Sequence, residues 1–135
     1  MIDPTQRSAL IKLRLEQADD AIGVAELLVQ NNAWPTALNR VYYGMFYAVM
    51  ALALRDNFQT SKHGQLIGWF NKNYVATGIF DPTLSRMLQE SFHCRNDADY
   101  EIKPLPDLEE IKRMLTDMKL FISTIKAWIE ANPAT

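Results

Sequence analysis

Asp107-Leu108-Glu109-Glu110-Ile111-Lys112-Arg113-Met114-Leu115-Thr116-Asp117-Met118-Lys119-Leu120-Phe121-Ile122 is the stretch that decides the fold class of this chain. Asp107 and Glu110 have the spacing of a reciprocal helix N-cap, in which each side chain serves the other's backbone N–H. Leu108, Ile111, Leu115, Met118, Ile122, Ile125 and Ile129 then recur every three or four residues, the repeat of one helix face. Met114, Phe121 and Trp128 widen that stripe, which predicts a helix covered on two sides.

The same period governs the rest of the chain. Asp3 can cap a first helix, with Pro4 at the position where no N–H is needed. Ile11, Leu15, Ala18, Ile22, Ala25 and Val29 form its inner face, and Asn31-Asn32 ends it. Pro35 opens a second helix with a stripe of Leu38, Val41, Tyr42, Met45, Phe46, Val49 and Leu52, and with Tyr43 and Tyr47 on a neighbouring face. Gly44 inside it costs about 1 kcal/mol against alanine, which predicts a close helix–helix approach there. A short third helix is expected over roughly Lys62 to Asn73, and Gly78 punctuates the chain beyond it. Asp81-Pro82 then starts a fourth helix that turns Leu84, Leu88 and Phe92 inward, carries Arg95 near its C-terminal end and is closed by Pro104 and Pro106. No strand alternation appears. The expectation is an all-α, up-and-down antiparallel bundle of four long helices plus a short one, joined by short loops.

A chain of 135 residues fits a single domain over 1–135, long enough to build a core without metal or disulfide staples. Its hydrophobic share of 48% and charged share of 22% are ordinary for a globular protein. A net charge of −2 argues against broad, charge-driven nucleic-acid binding but leaves room for a local basic cleft. The single cysteine, Cys94, leaves no internal disulfide and no thiolate metal cluster, and a buried, inert thiol is expected. Without a charged-then-apolar leader or an 18-residue apolar run, the expected setting is the cytoplasm, with no membrane partner.

Chemistry concentrates in Arg95-Asn96-Asp97-Ala98-Asp99-Tyr100. Arg95 and Asp99 have the spacing of a simple ion pair on one helix face, worth only a few tenths of a kcal/mol. The alternative is an anion site, since a guanidinium holds phosphate in a bidentate fork. His63, with Lys62 before it, stands at a loop-to-helix entry where free N–H groups receive anions. His93 should point away from Arg95, two residues on along the helix. Tyr42, Tyr43 and Tyr47 fit a core or a dimer seam, or else a stacking platform for bases. Two histidines without carboxylates at ligand spacing predict no metal site, and no phosphate-loop, nucleophile-elbow or zinc-protease motif implies a cofactor.

Three blocks in order, Asn39-Arg40-Val41-Tyr42-Tyr43-Gly44-Met45-Phe46, then Ser61-Lys62-His63-Gly64 followed by Phe70, Tyr74-Val75 and Gly78, then Arg95 to Tyr100, resemble the HEPN family (higher eukaryotes and prokaryotes nucleotide-binding). The resemblance spans nearly the whole chain. It implies a helical bundle that pairs as a homodimer. It also implies a cleft where an arginine and a histidine, with four to six residues between them, cut RNA without metal. Many such proteins work beside a minimal nucleotidyltransferase as toxin–antitoxin pairs, and some carry a tyrosine that the partner modifies with AMP. Here Tyr100 stands where the histidine is expected. A phenol with a pKa near 10 is about 0.1% ionised at neutral pH and makes a poor general base. The resemblance therefore implies a dimeric nucleotide- or RNA-phosphate-binding module working with a nucleotidyltransferase partner, with Arg95 and Asn96 as ligands, to which the helix-entry reading adds His63 and Lys62. The alternatives are a metal-independent endoribonuclease using Arg95 and Tyr100, or a purely structural interaction protein.

Overall fold

The computed structural model describes residues 2–100 and 106–134, with the backbone alone at 97–100. Helix α1 runs Pro4–Gln30, α2 Trp34–Arg55, α3 His63–Phe70, α4 Pro82–Tyr100 and α5 Leu108–Ala131. No strand occurs among the described residues, and the molecule is the all-α, up-and-down bundle that the periodicity predicts. No helix among them is long and apolar enough to cross a membrane.

The caps sit where the side chains demand them. Asp3 Oδ1 accepts from Gln6 N–H, and Asp107 Oδ1 from Glu110 N–H, both at 2.9 Å. Asp81 Oδ1 accepts from Thr83 N–H at 2.9 Å. Helices α1 and α2 end alike. Asn32 and Asn57 each take a left-handed φ of 59°, and the residue after each donates back to Leu28 and Ala53 respectively, at 2.8 Å. Asparagine tolerates that conformation better than any β-branched residue, and the bond satisfies a helix-end carbonyl.

Helix α2 is the centre of the bundle and packs against α1, α3, α4 and α5. Ala37, Leu38, Val41, Tyr42, Met45, Ala48, Val49, Ala51 and Leu52 are almost completely buried, which makes α2 apolar nearly all round. Gly44 marks the close approach that its cost predicts. A Cβ there would meet Met118 Cε and, at 3.1 Å, the Cβ of Ala21, so α1, α2 and α5 converge on a backbone without a side chain.

Three details differ from the sequence expectation. The third helix stops at Phe70 and passes into a π-helical turn, Asn71–Val75, that buries Tyr74. The extra residue in the turn lets Ala76 N–H reach Asn71 O at 2.8 Å, a wider ring than an α-turn. Leu108 is 37% exposed because it lies in the first turn of α5, beyond the end of the core. In α1 the buried stripe includes Ala21, while Leu15 and Ile22 are half-buried at its edges. The expected break at Pro104 lies outside the described residues.

Candidate functional site

Helix geometry places the aromatic block. Tyr42 and Phe46 are one turn apart on α2, with ring centroids 5.6 Å apart, and Tyr43 and Tyr47 repeat that relation at 6.1 Å on the adjoining face. Phe92 of α4 closes on Tyr42 at 5.4 Å. His63, the first residue of α3, stacks on Phe46 with centroids 4.2 Å apart and planes 15° from parallel. Three helices thus build one polar–aromatic cluster at the α2–α3–α4 junction.

Tyr42 is fully buried, and its hydroxyl lies 2.7 Å from His63 Nδ1. Burial, reinforced by Tyr43, pushes the Tyr42 pKa far above the ordinary tyrosine value, against the opposing charge of Arg95. The phenol therefore keeps its proton. Its one hydrogen-bond partner among the described residues is His63 Nδ1. Donation there assigns His63 as the neutral tautomer with hydrogen on Nε2. Burial first, and the Arg95 charge second, lower the His63 pKa, which favours that neutral ring.

Arg95 reaches across from α4. Its Nη1 donates to Asn96 Oδ1 at 3.1 Å and its Nη2 to Tyr43 Oη at 3.4 Å. The guanidinium carbon lies 5.8 Å from the Tyr42 ring centre and 5.4 Å from that of Tyr43. On α2, Arg40 approaches the same Tyr43 ring to 5.3 Å and donates through Nε and Nη2 to Asn39 Oδ1. Each arginine is steered by a neighbouring asparagine and by one shared aromatic face, worth about 0.5–2 kcal/mol per cation–π contact.

The expected site residues divide accordingly. Arg95, Asn96 and His63 fall in the cluster. Lys62 is the N-cap residue of α3, and its exposed side chain makes no described contact. The backbone of Tyr100 lies on α4, while its side chain, and the Arg95–Asp99 pairing, fall outside what is described. His93 is exposed and packs edge-on against Phe92. Cys94 is half-buried rather than buried. Among the described residues no group of histidine, cysteine and carboxylate side chains has metal-holding geometry. Sequence reasoning missed Arg40 and the pairing of Tyr42 with His63. The one-turn spacings of Arg40 to Tyr43 and Tyr42 to Phe46 were legible, but the meeting with α3 and α4 was not.

A family model, the HEPN domain, matches residues 11–128. A UPF0332 protein of Thermotoga maritima is 29% identical over 93% of this chain and 95% of its own length. "Putative toxin MJ0142" of Methanocaldococcus jannaschii is 28% identical over 85% of this chain and 78% of its own, and a second protein of that organism, "Putative toxin MJ0605", is 28% identical over 86% of each. The matched span takes in α2, α3, α4 and nearly all of α5, every element that forms the cluster. With this fold and this order of motifs, the chain belongs to the HEPN domain family.

Proposed function

We propose that this chain is a toxin-like HEPN protein whose α2–α3–α4 cluster binds the phosphate of a nucleotide or of RNA. In this reading it is a single cytoplasmic domain that works as a homodimer, beside a minimal nucleotidyltransferase partner, in a toxin–antitoxin-like module. The toxin names of the archaeal relatives support the setting. The observation that carries the binding reading is the hydrogen bond from Tyr42 to His63 Nδ1. It leaves Nε2–H as a donor on the cluster that also holds the Arg95 guanidinium, and two such donors suit an oxyanion. Asn96 positions the guanidinium and Lys62 adds charge at the rim, while a role for Tyr100 rests on the family resemblance alone.

Calorimetric titration of the purified protein with AMP and with a short oligoribonucleotide tests this. Saturable binding that Arg95→Ala removes is expected, and heat no different from buffer would overturn it. Copurification from the native host, together with light scattering, tests the nucleotidyltransferase partner and the dimer. If that partner modifies Tyr100, co-expression raises the mass by one AMP increment and Tyr100→Phe abolishes the gain. An unchanged mass removes the idea.

The second reading is a metal-independent endoribonuclease, in which the RNA 2′-hydroxyl attacks the adjacent phosphate. His63, with its lowered pKa beside Arg95, is the observation in its favour. As a base, however, it needs the opposite tautomer, which leaves the buried Tyr42 hydroxyl proton without an acceptor among the described residues. Such a cost of about 1–3 kcal/mol ranks this reading second. It predicts 2′,3′-cyclic phosphate ends that Arg95→Ala eliminates, and intact RNA between about pH 6 and 9 counts against it.

A further inference from the structure

We infer that the cavity between α1, α2 and α3 is a second ligand site, built for a small amphipathic anion whose apolar tail fills the cavity and whose single oxyanion head is held by Arg14. None of the residues that line it belongs to the α2–α3–α4 cluster, so the inference stands apart from the phosphate-binding reading.

Residues of the three helices and of the loop after α2 line a cavity of about 460 Å³, within the size range of small-molecule sites. Leu10 of α1, Met50 and Leu54 of α2, Phe58 of the loop and Leu66 of α3 give it a mostly apolar wall. Leu54 and Leu66 are buried, so its floor is continuous with the core. The loop at its rim is braced on both sides. Asn57 Oδ1 accepts from Arg7 Nη1 at 2.6 Å, and Phe58 N–H donates to Ala53 O at 2.8 Å. Thr60 Oγ1 accepts from Lys62 N–H at 3.2 Å and donates to Gln65 Oε1 at 2.6 Å. The Phe58 ring also stacks on Trp69, with centroids 5.2 Å apart and planes 3° from parallel. A wall fixed in advance spares a ligand the cost of ordering it.

Arg14 is the one charged residue on this wall among the described residues, and no carboxylate lines the cavity there. Its described partner is neutral, since Nη1 donates to Gln17 Oε1 at 2.8 Å. Its Nε is buried and hydrogen-bonds nothing among the described residues. A buried cationic N–H without an acceptor destabilises the fold. An oxyanion in the cavity relieves that, because the Nε–Nη2 edge of a guanidinium turned toward it matches two oxygens in a fork. The apolar wall keeps water from such a pair and strengthens it. A neutral ligand leaves the guanidinium unanswered, and a purely polar anion leaves the wall unfilled. The two features together select a molecule with both parts. A medium-chain carboxylate and a monoalkyl phosphate share this chemistry.

Carbon-13 methyl spectra of the full chain carrying labelled methionine test the site, since Met50 lines the cavity and Met50→Leu assigns its signal. The probes are octanoate, hexanoate, acetate, octan-1-ol and octyl phosphate at about pH 7.5, where a carboxylate is ionised. Octanoate should move the Met50 signal saturably and bind at least about tenfold more tightly than octan-1-ol, the yield of a charge-assisted fork. Hexanoate, two methylenes shorter, should bind about tenfold more weakly than octanoate, and acetate should leave the signal in place. Arg14→Gln should lower octanoate to the affinity of octan-1-ol. Arg14→Lys keeps the charge without the fork, serves if Arg14→Gln unfolds, and should retain part of the difference. Whichever of octanoate and octyl phosphate binds more tightly identifies the head group. Octanoate and octan-1-ol bound equally by wild type, a preference unmoved in both Arg14 variants, or no saturable shift overturns the inference. A Met50 signal that moves with protein concentration but not with octanoate also overturns it, since a second copy of the chain then covers the cavity. Each of these failures leaves the phosphate-binding reading intact, because that reading is tested at Arg95.

Discussion

Tyr42 and Tyr74 are both buried, both hydrogen-bond a titratable side chain and both have an arginine close by, yet their surroundings differ in one respect. Tyr74 donates to Asp56, whose carboxylate also pairs with Arg55. Arg55 in turn donates to Asn132 O at 2.6 Å and lies 4.6 Å from the centre of the Trp128 ring. Positive and negative charge are both inside that cluster, and it ties the end of α2 to the end of α5. Around Tyr42 the partner is a neutral imidazole, and Arg40 meets only amide and aromatic groups among the described residues. The first cluster is internally closed and reads as structural. The second gathers guanidinium and imidazole groups on shared aromatic rings, the kind of surface that a ligand site needs. At Tyr74 a described carboxylate closes the cluster, which is the difference that marks it as structural.

The strongest way to break this contrast is Arg95→Ala. Phosphate affinity should fall by about 30-fold or more, equivalent to at least about 2 kcal/mol, alongside a stability loss of about 1 kcal/mol or more from the lost contacts with Tyr42 and Tyr43. Titration and denaturant unfolding of the same sample decide it, and unchanged affinity would make the Tyr42 cluster as structural as the other. Gly44→Leu should disturb both clusters together, since α2 carries Tyr42 and Arg55 alike. Overpacking against Met118 and Ala21 should cost about 1–3 kcal/mol of stability, read from the urea midpoint, with weaker phosphate binding alongside. Asp56→Ala, unlike Arg95→Ala, should spare binding: a stability loss of about 1–2 kcal/mol, from the orphaned Tyr74 hydroxyl and Arg55, with phosphate titration unaltered.

The smallest expected effect sharpens the contrast through pH. Burial and then Arg95 hold the His63 pKa below its ordinary 6.5. Folding therefore favours the neutral ring. That contribution to stability is present above 6.5 and is lost as pH falls through the lowered folded value. Bound phosphate favours the imidazolium instead, so its affinity should rise over the same fall in pH. Thermal melts at about pH 7.5 and 5.5, with and without phosphate, should show both trends, flattened in His63→Gln. Identical slopes in the variant would remove His63 from the site.

Most of the fold was legible because helix period and caps are local. Asp3, Asp81 and Asp107 cap the helices they announce, and the stripe of α2 is buried as its spacing requires. The π-helical turn at Asn71–Val75 escaped notice because its cause is tertiary. It is the demand to bring Tyr74 under Trp128 and Phe80, with centroids 5.1 and 5.4 Å away, and no residue of the turn encodes that widening. The site was half legible. Arg95 and Asn96 stand out as a polar stretch on α4, whereas the approach of Arg40 and Arg95 to one Tyr43 ring depends on how α2 and α4 pack.

The amino-acid sequence by itself determined that this protein is a helical bundle, where its helices begin, and that a polar stretch at 95–100 breaks the apolar pattern, since each depends on neighbours within a turn or two. Tertiary structure alone decided that His63, an isolated histidine at a helix start, meets Tyr42, and that Arg40 and Arg95 share Tyr43. Those meetings join residues 21, 52 and 55 positions apart in the chain. Contacts at such separations are set by which helices pack together, and the 3.6-residue period carries no record of that choice.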